Sequence, residues 1–215
     1  MTARSPIQQV LVIGSTGHVG AQIVAALADQ GGHLPLEVGR CGFDSAEAAV
    51  SAVDTVASGQ ELDAIVIADL PDRAWRRRVL TTFDTDAWRA AADAPALSVL
   101  WCLQAIRRHV LPDRTRVVVV VPSVGIFGAA GYVAASAAGE AIRALVKSTA
   151  RQWGPEGTAL NMVAVAIEEG HGVTGTTLPA LDVADVAAAV MLLCAPQARA
   201  VTGQTLMADG GAWMP

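Results

Sequence analysis

The sequence predicts an α/β protein, a doubly wound parallel sheet of about six to seven strands with helices on both faces. Three observations carry that prediction. Short apolar runs alternate along the chain with longer stretches of helical periodicity, the pattern of a parallel sheet joined by right-handed crossovers. One run, Arg116 to Pro122, is unbroken valine from Val117 to Val121. Such a run suits a strand buried on both faces, because β-branched side chains fit a pleated surface and no polar face is left. The first apolar run, Gln9 to Ile13, leads straight into Gly14-Ser15-Thr16-Gly17-His18-Val19-Gly20 and then into a helical stretch. Strand, glycine-rich turn and helix in that order mark a Rossmann-like, dinucleotide-binding architecture in three α/β/α layers.

The totals agree with a single domain over residues 1–215. Hydrophobic residues make up 53% of the chain and charged residues 16%, a composition that buries a core and does not remain disordered. The net charge of −5 argues against a nucleic-acid partner held by phosphate contacts. The basic run Arg76-Arg77-Arg78 reads as a solvated helix face. Cys41, Cys102 and Cys194 are too scattered for a metal site or a disulfide framework, which fits a reducing compartment. The short polar N-terminus has no secretory pattern, and no apolar run approaches the ~18 residues of a membrane span. A cytoplasmic protein with no membrane partner is expected.

Taken in order, Val19 to Asp29 has helical spacing and stops at Gly31-Gly32, a C-terminal signal. Leu34 to Val38 is the second strand. Asp44-Ser45-Ala46-Glu47 reads as a capping box that opens a helix to about Ala57. Asp63 to Ala68 is the third strand, and Pro71 begins a short helix to Leu80. Asp86 to Val110 is a long helix that Pro95 should kink or restart. After the valine strand, Tyr132 opens a helix to Trp153. Thr158 to Ile167 is a strand, Glu168 to Ala180 a loop, Asp182 to Cys194 a helix, and Thr205 to Met207 a last strand before Asp209-Gly210-Gly211.

Ligands bind open α/β sheets at the carboxyl ends of the strands. Two stretches fall there. In the turn from Gly14 to Gly20, the first glycine permits the tight turn, the second lets backbone approach a pyrophosphate, and the third lets helix pack on strand. The helix N-terminus behind it offers N–H groups to phosphate. The alternative is a turn kept for packing alone. Arg40, just past the second strand, stands where an arginine meets the 2′-phosphate of NADP and an acid would meet the ribose of NAD; a plain exposed loop arginine is equally compatible. The other stretch holds Ser123, at the end of the valine strand, and Tyr132, at the start of the next helix.

Several stretches together resemble the short-chain dehydrogenase/reductase family. Gly14 to Gly20 is similar to its nucleotide turn, Pro122-Ser123-Val124-Gly125 to the segment carrying its serine, and Tyr132-Val133-Ala134-Ala135-Ser136 to its Tyr-x-x-x-Lys motif. Arg143 to Gly157 resembles the body and exit of the same helix. Asn161-Met162-Val163-Ala164 and Val201 to Gly211 resemble the family's later signatures. The resemblance implies a nicotinamide cofactor, NADP or NAD, bound by Gly14 to Gly20 with Arg40, and a carbonyl or alcohol substrate at Ser123 and Tyr132.

The departures fall on the chemistry. The family's active set is Asn-Ser-Tyr-Lys. Here Ser136 stands at the lysine and Pro95 at about the asparagine. Ile67-Ala68-Asp69-Leu70 replaces Asn-Asn-Ala-Gly, and Ala166-Ile167 replaces the Pro-Gly that lines the nicotinamide site. The chain is also short near Arg40 to Asp44, as if one crossover at the sheet edge were deleted. In the family the lysine contacts the nicotinamide ribose and lowers the tyrosine pKa. A free tyrosine titrates near ~10, so only about one in a thousand is ionised at pH 7. Ser136 faces Tyr132 from the next helical turn but carries no charge. Arg143 and Lys147, the only lysine in the chain, lie roughly 16 and 22 Å farther along at 1.5 Å per residue.

Two readings follow. One is a non-catalytic or weakly active subunit that assembles, as a homo- or hetero-oligomer, with an active relative through the helices 86–110 and 132–153. The apolar and small residues Ala90, Ala94, Leu97, Trp101, Ala137, Ala141, Ala144 and Leu145 lie on those helices, and the family packs the same pair across a dimer interface. The other is an NADP(H)-dependent carbonyl reductase or alcohol dehydrogenase that works with Tyr132 and Ser123 alone.

Overall fold

The computed structural model describes residues 9–29, 35–39, 42–68, 75–166 and 183–212. Within them one parallel sheet contains β1 (Val10–Ile13), β2 (Leu36–Val38), β3 (Ala64–Ile67), β4 (Arg116–Pro122), β5 (Ala159–Val165) and β6 (Thr205–Ala208). Their order is β2-β1-β3-β4-β5-β6, and every neighbouring pair is parallel. Strand order reverses between β1 and β3, where Ile13 lies opposite Ile67. The carboxyl ends of those two strands therefore flank the topological switch point. No strand lies beyond β2 among the described residues, in keeping with a crossover missing at that edge.

The valine strand has no polar face because it lies between two cores. Side chains alternate across a strand. Val117, Val119 and Val121 face a core shared with α2 (Ala46–Ala57), α4 (Ala94–Ile106) and α6 (Val133–Trp153). Val118 and Val120 face the other, shared with α1 (His18–Asp29) and α7 (Val183–Cys194). At the far edge Asn161, buried in β5, ties β6 in place. Its amide nitrogen donates to Val201 O at 2.8 Å, and its side-chain oxygen accepts from Gln204 N at 3.1 Å.

The structure corrects three local expectations. The cap of α2 is Ser45, not Asp44: the Ser45 oxygen accepts from Ala48 N at 3.2 Å. Glu47 bonds to its own backbone N–H and to the Ser45 hydroxyl, and both hold its carboxyl below the usual range. The long helix over 86–110 is broken. A turn of helix, α3 (Thr85–Trp88), capped by Asp84, passes through a wide π turn at Arg89–Asp93 into α4. Pro95, with no N–H to give, falls in the first turn of α4, and the extra residue of the π turn absorbs the misfit.

The short helix expected over 71–80 does not form where the chain is described; residues 71–74 lie outside those residues. From Trp75 to Val79 the chain is irregular, and a single 3₁₀ turn follows at Leu80–Thr82. Two ties hold it open. The Trp75 side chain is buried in the core against the layer of α6. Arg78 N donates to Gly131 O at 2.7 Å rather than to a carbonyl of its own segment. The basic run is exposed, as expected, but it is not a helix face.

Candidate active site

The glycine turn joins β1 to α1 and is built from backbone. Gly14, with φ of 89°, donates its N–H to Val38 O at 2.8 Å, and Gly17 N donates to Gly14 O at 3.0 Å. Thr16 binds the end of β2 twice, from its N–H at 3.1 Å and its hydroxyl at 2.9 Å, both to Gly39 O. Gly20 has no room for a side chain: a Cβ there would lie 2.0 Å from Gly14 O. The N–H groups of residues 14–17 are thus used within the protein, and it is the first turn of a helix such as α1 that leaves N–H groups free for a phosphate. Ser15 is buried, and its hydroxyl has no hydrogen-bond partner among the described residues. A glycine cradle beside an unpartnered hydroxyl fits a pyrophosphate. Arg40 lies outside the described residues.

Ser123 follows β4 directly and precedes a single helical turn, α5 (Val124–Phe127). Its N–H donates to Val165 O at 2.8 Å, which anchors it to the end of β5. Tyr132 caps α6 and is 3% exposed, while Ser123 is wholly buried. Among the described residues neither Ser123 Oγ nor Tyr132 Oη has a hydrogen-bond partner, so the two hydroxyls are placed at one end of the sheet but do not bond to each other. Ser136, one turn into α6, donates to Val124 O at 3.3 Å. It links α6 to α5, and nearby Gly139 permits the close approach, since a Cβ there would lie 2.6 Å from Gly125 O.

Burial pushes the Tyr132 pKa above its usual value, and the positive charge of Arg77 pulls against that without overcoming it. Arg77 is a residue that the motif spacing could not reveal. It comes from the irregular segment after β3, where only the run of arginines signals it. Its side chain lies over the turn before Tyr132: a Cβ on Gly131 would be 2.6 Å from Arg77 Cγ and 3.0 Å from Nε. Arg143, by contrast, is bound by Glu140 through its Nε at 2.9 Å. Pro95 is buried in α4. Ala166 is half-buried at the end of β5; Asp69, Leu70, Ile167 and the loop 168–180 fall outside the described residues. Among the described residues no group of His, Cys, Asp and Glu is arranged to hold a metal ion.

The family model described as "Enoyl-(Acyl carrier protein) reductase" matches residues 9–175, from β1 past the Tyr132 helix and β5. The chain belongs to the short-chain dehydrogenase/reductase family. A Mycobacterium tuberculosis protein named as an oxidoreductase is 32% identical over 158 residues, 71% of this chain and 68% of its own length. A 3-oxoacyl-[acyl-carrier-protein] reductase of Vibrio harveyi is 27% identical over 219 residues, 94% of this chain and 87% of its own length. In fold, a doubly substituted short-chain dehydrogenase/reductase of Serratia marcescens matches with a TM-score of 0.80 at 22% identity, over 95% of this chain and 97% of that one. A dehydrogenase/reductase of Sinorhizobium meliloti matches with a TM-score of 0.81 at 20% identity, over 96% and 95%.

In this member of the short-chain dehydrogenase/reductase family, Ser123 and Tyr132 lie at the carboxyl end of the sheet. Ser136, one helical turn beyond Tyr132, is engaged with the α5 backbone.

Proposed function

We propose that this chain is a short-chain dehydrogenase/reductase subunit whose own reductase site is weak or lost, and that it acts by assembling with an active relative. The observation that carries this reading is the use of Ser136 as a tie to Val124 O, one turn from a phenol that burial holds neutral. Where a cation would assist Tyr132, there is a packing contact. Members of this family are generally oligomeric, and α4 and α6 offer a surface for it. Between them lies a groove of about 630 Å³ lined by Ala96, Leu97, Leu100, Ala141, Ala144 and Leu145, with Asp93 and Ser148 at its margin. Leu97 is 42% exposed there. Light scattering on the purified chain, alone and co-expressed with dehydrogenases of the same family, tests the reading. Association that Leu97→Asp abolishes supports it; a stable monomer that recovers no relative ends it.

The second reading, an NADP(H)-dependent carbonyl reductase or alcohol dehydrogenase, is favoured by one observation: Ser123 Oγ and Tyr132 Oη are both buried without partners among the described residues. A buried hydroxyl left unsatisfied costs about 1–3 kcal/mol, and a substrate carbonyl oxygen could accept from each. Gly14, Ser15, Thr16, Gly17, His18, Val19 and Gly20, with Arg40, would hold NADP or NAD, whose chemistry is hydride transfer. Ser123 would hold the carbonyl oxygen and Tyr132 would pass it a proton from the neutral phenol, a contribution of ~10²–10⁴-fold for positioned acids of this kind. The 3-oxoacyl thioesters named for the Vibrio relative are the first substrates to try. Turnover with NADPH that Tyr132→Phe abolishes supports this reading, and no binding of NADPH or NADH at millimolar concentration removes it.

A further inference from the structure

The three exposed arginines after β3 gather around one pocket. Arg76, Arg77 and Arg78 line one side of a pocket of about 320 Å³ whose other side is Phe83, Ala87, Ala90 and Ala91, from the approach to α3 and the π turn. Two of the three are held in place. Arg78 donates from Nε to Thr82 Oγ1 at 3.1 Å and from Nη2 to Thr82 O at 2.5 Å, and its guanidinium lies 4.8 Å over the Phe83 ring. Phe83 is itself braced edge-on against Trp88, with ring centroids 5.8 Å apart. Arg77 lies across Gly131, whose φ of 87° and missing side chain leave it room.

Among the described residues none of the three arginines has an acidic partner, and no acid lines the pocket. Among the described residues the nearest carboxylates along the chain are engaged elsewhere: Asp84 accepts from Ala87 N at 2.7 Å, and Asp86 pairs with Arg89 at 3.8 Å. In a chain of net charge −5, guanidinium groups that no described acid opposes, two of them held in place over an apolar wall, are a recognition surface for an anion. Guanidinium forks match carboxylate and phosphate oxygens, and alanine and phenylalanine suit a short apolar body. The volume is that of a small-molecule site.

We propose that this pocket binds a small organic anion, a carboxylate or phosphate group on a short apolar body, beside the turn that carries Tyr132. Arg77 belongs both to the pocket and to the surroundings of Tyr132, so a ligand held there sits against the site whether or not Tyr132 performs chemistry. The pocket is independent of the reductase reading.

Calorimetric titration at fixed ionic strength with two probes, inorganic phosphate and succinate, tests it. Saturable binding of at least one probe is expected. The tighter of the two identifies the head group as phosphate or carboxylate. The double substitution Arg76→Gln with Arg77→Gln should weaken binding by about tenfold or more, and Arg77→Lys should retain part of it, as a point charge without the fork. Ala90→Glu, which puts a like charge into the pocket and leaves every arginine intact, should abolish binding; it serves if the glutamine variants fail to fold. Absence of binding of both probes well above a millimolar Kd, or equal binding by wild type and Ala90→Glu, overturns the proposal.

Discussion

The corners of the sheet at β1 and at β4 both carry a turn from strand to helix at the carboxyl end, yet they are built from different materials. At β1 the turn consists of backbone: Gly14 and Thr16 are fastened to the end of β2, and Gly20 fits only because it has no side chain. At β4 the features are side chains: Ser123, Tyr132 and Ser136, arranged around the link between α5 and α6. The difference teaches why the corners have diverged. The glycines that would admit a pyrophosphate are the same ones that let α1 pack on the sheet, so the fold preserves the nucleotide turn. Nothing in the fold requires a lysine at Ser136, so the chemistry there can change while the architecture stays.

The sharpest test of that contrast is Gly20→Ala. A Cβ 2.0 Å from a carbonyl oxygen cannot be accommodated without moving α1, and a loss of about 3 kcal/mol or more is expected by chemical denaturation. A loss below about 1 kcal/mol would show that the β1 turn is not held by the fold.

Alkaline titration probes the buried groups next. Burial raises the Tyr132 pKa above its usual value and pushes the Cys194 thiol up to about 12. A folded pKa above the unfolded one means that the unfolded chain loses its proton first. Stability is therefore whole below about pH 9 and falls as pH rises through about 9 to 12, by up to about 1.4 kcal/mol per pH unit for each group. Tyr132→Phe removes one of the two contributions, and melting temperatures measured across this range will show a shallower decline.

Ser136→Lys tests the loss directly. Tyr132 is the only tyrosine in the chain, so its ionisation is read from ultraviolet absorbance alone. A lysine one helical turn away should lower its pKa, and Arg77→Gln should raise it further. If the lysine variant titrates as the wild type does, residue 136 does not face the phenol.

The smallest effect is expected for Tyr132→Phe at neutral pH. It deletes a hydroxyl that has no partner among the described residues, so stability should be unchanged or higher by up to about 1 kcal/mol. A clear loss of stability would mean that the hydroxyl is bonded in the folded chain.

The parallel sheet, its six strands and the helices around them were legible because their signals are local and repeated. The unbroken valine from Val117 to Val121 in β4 declares two buried faces, and the glycine spacing after β1 declares a turn between strand and helix. The helix start at Ser45 was misread by one residue because Asp44 and Ser45 are both good caps, and only the hydrogen bond from Ala48 N distinguishes them. Pro95 announced an interruption but not its form, since a kink, a new start and a π turn all relieve the same clash. The segment at 75–79 was misread because Trp75 is drawn into the core by contacts remote in sequence, and local propensity does not include them.

By itself, the amino-acid order determined the class of fold, the two-sided burial of the central strands, the nucleotide-type turn and the absence of a lysine beside Tyr132. These depend on periodicity and on residue identity at short spacing, which a linear reading contains. The tertiary structure alone decided that Ser136 bonds to Val124 O, that Ser123 and Tyr132 are sealed without touching, and that Arg77 lies over Gly131. Each joins segments whose separation is set by how helices and strands pack, and Coulomb and hydrogen-bond interactions depend on that distance rather than on position along the chain.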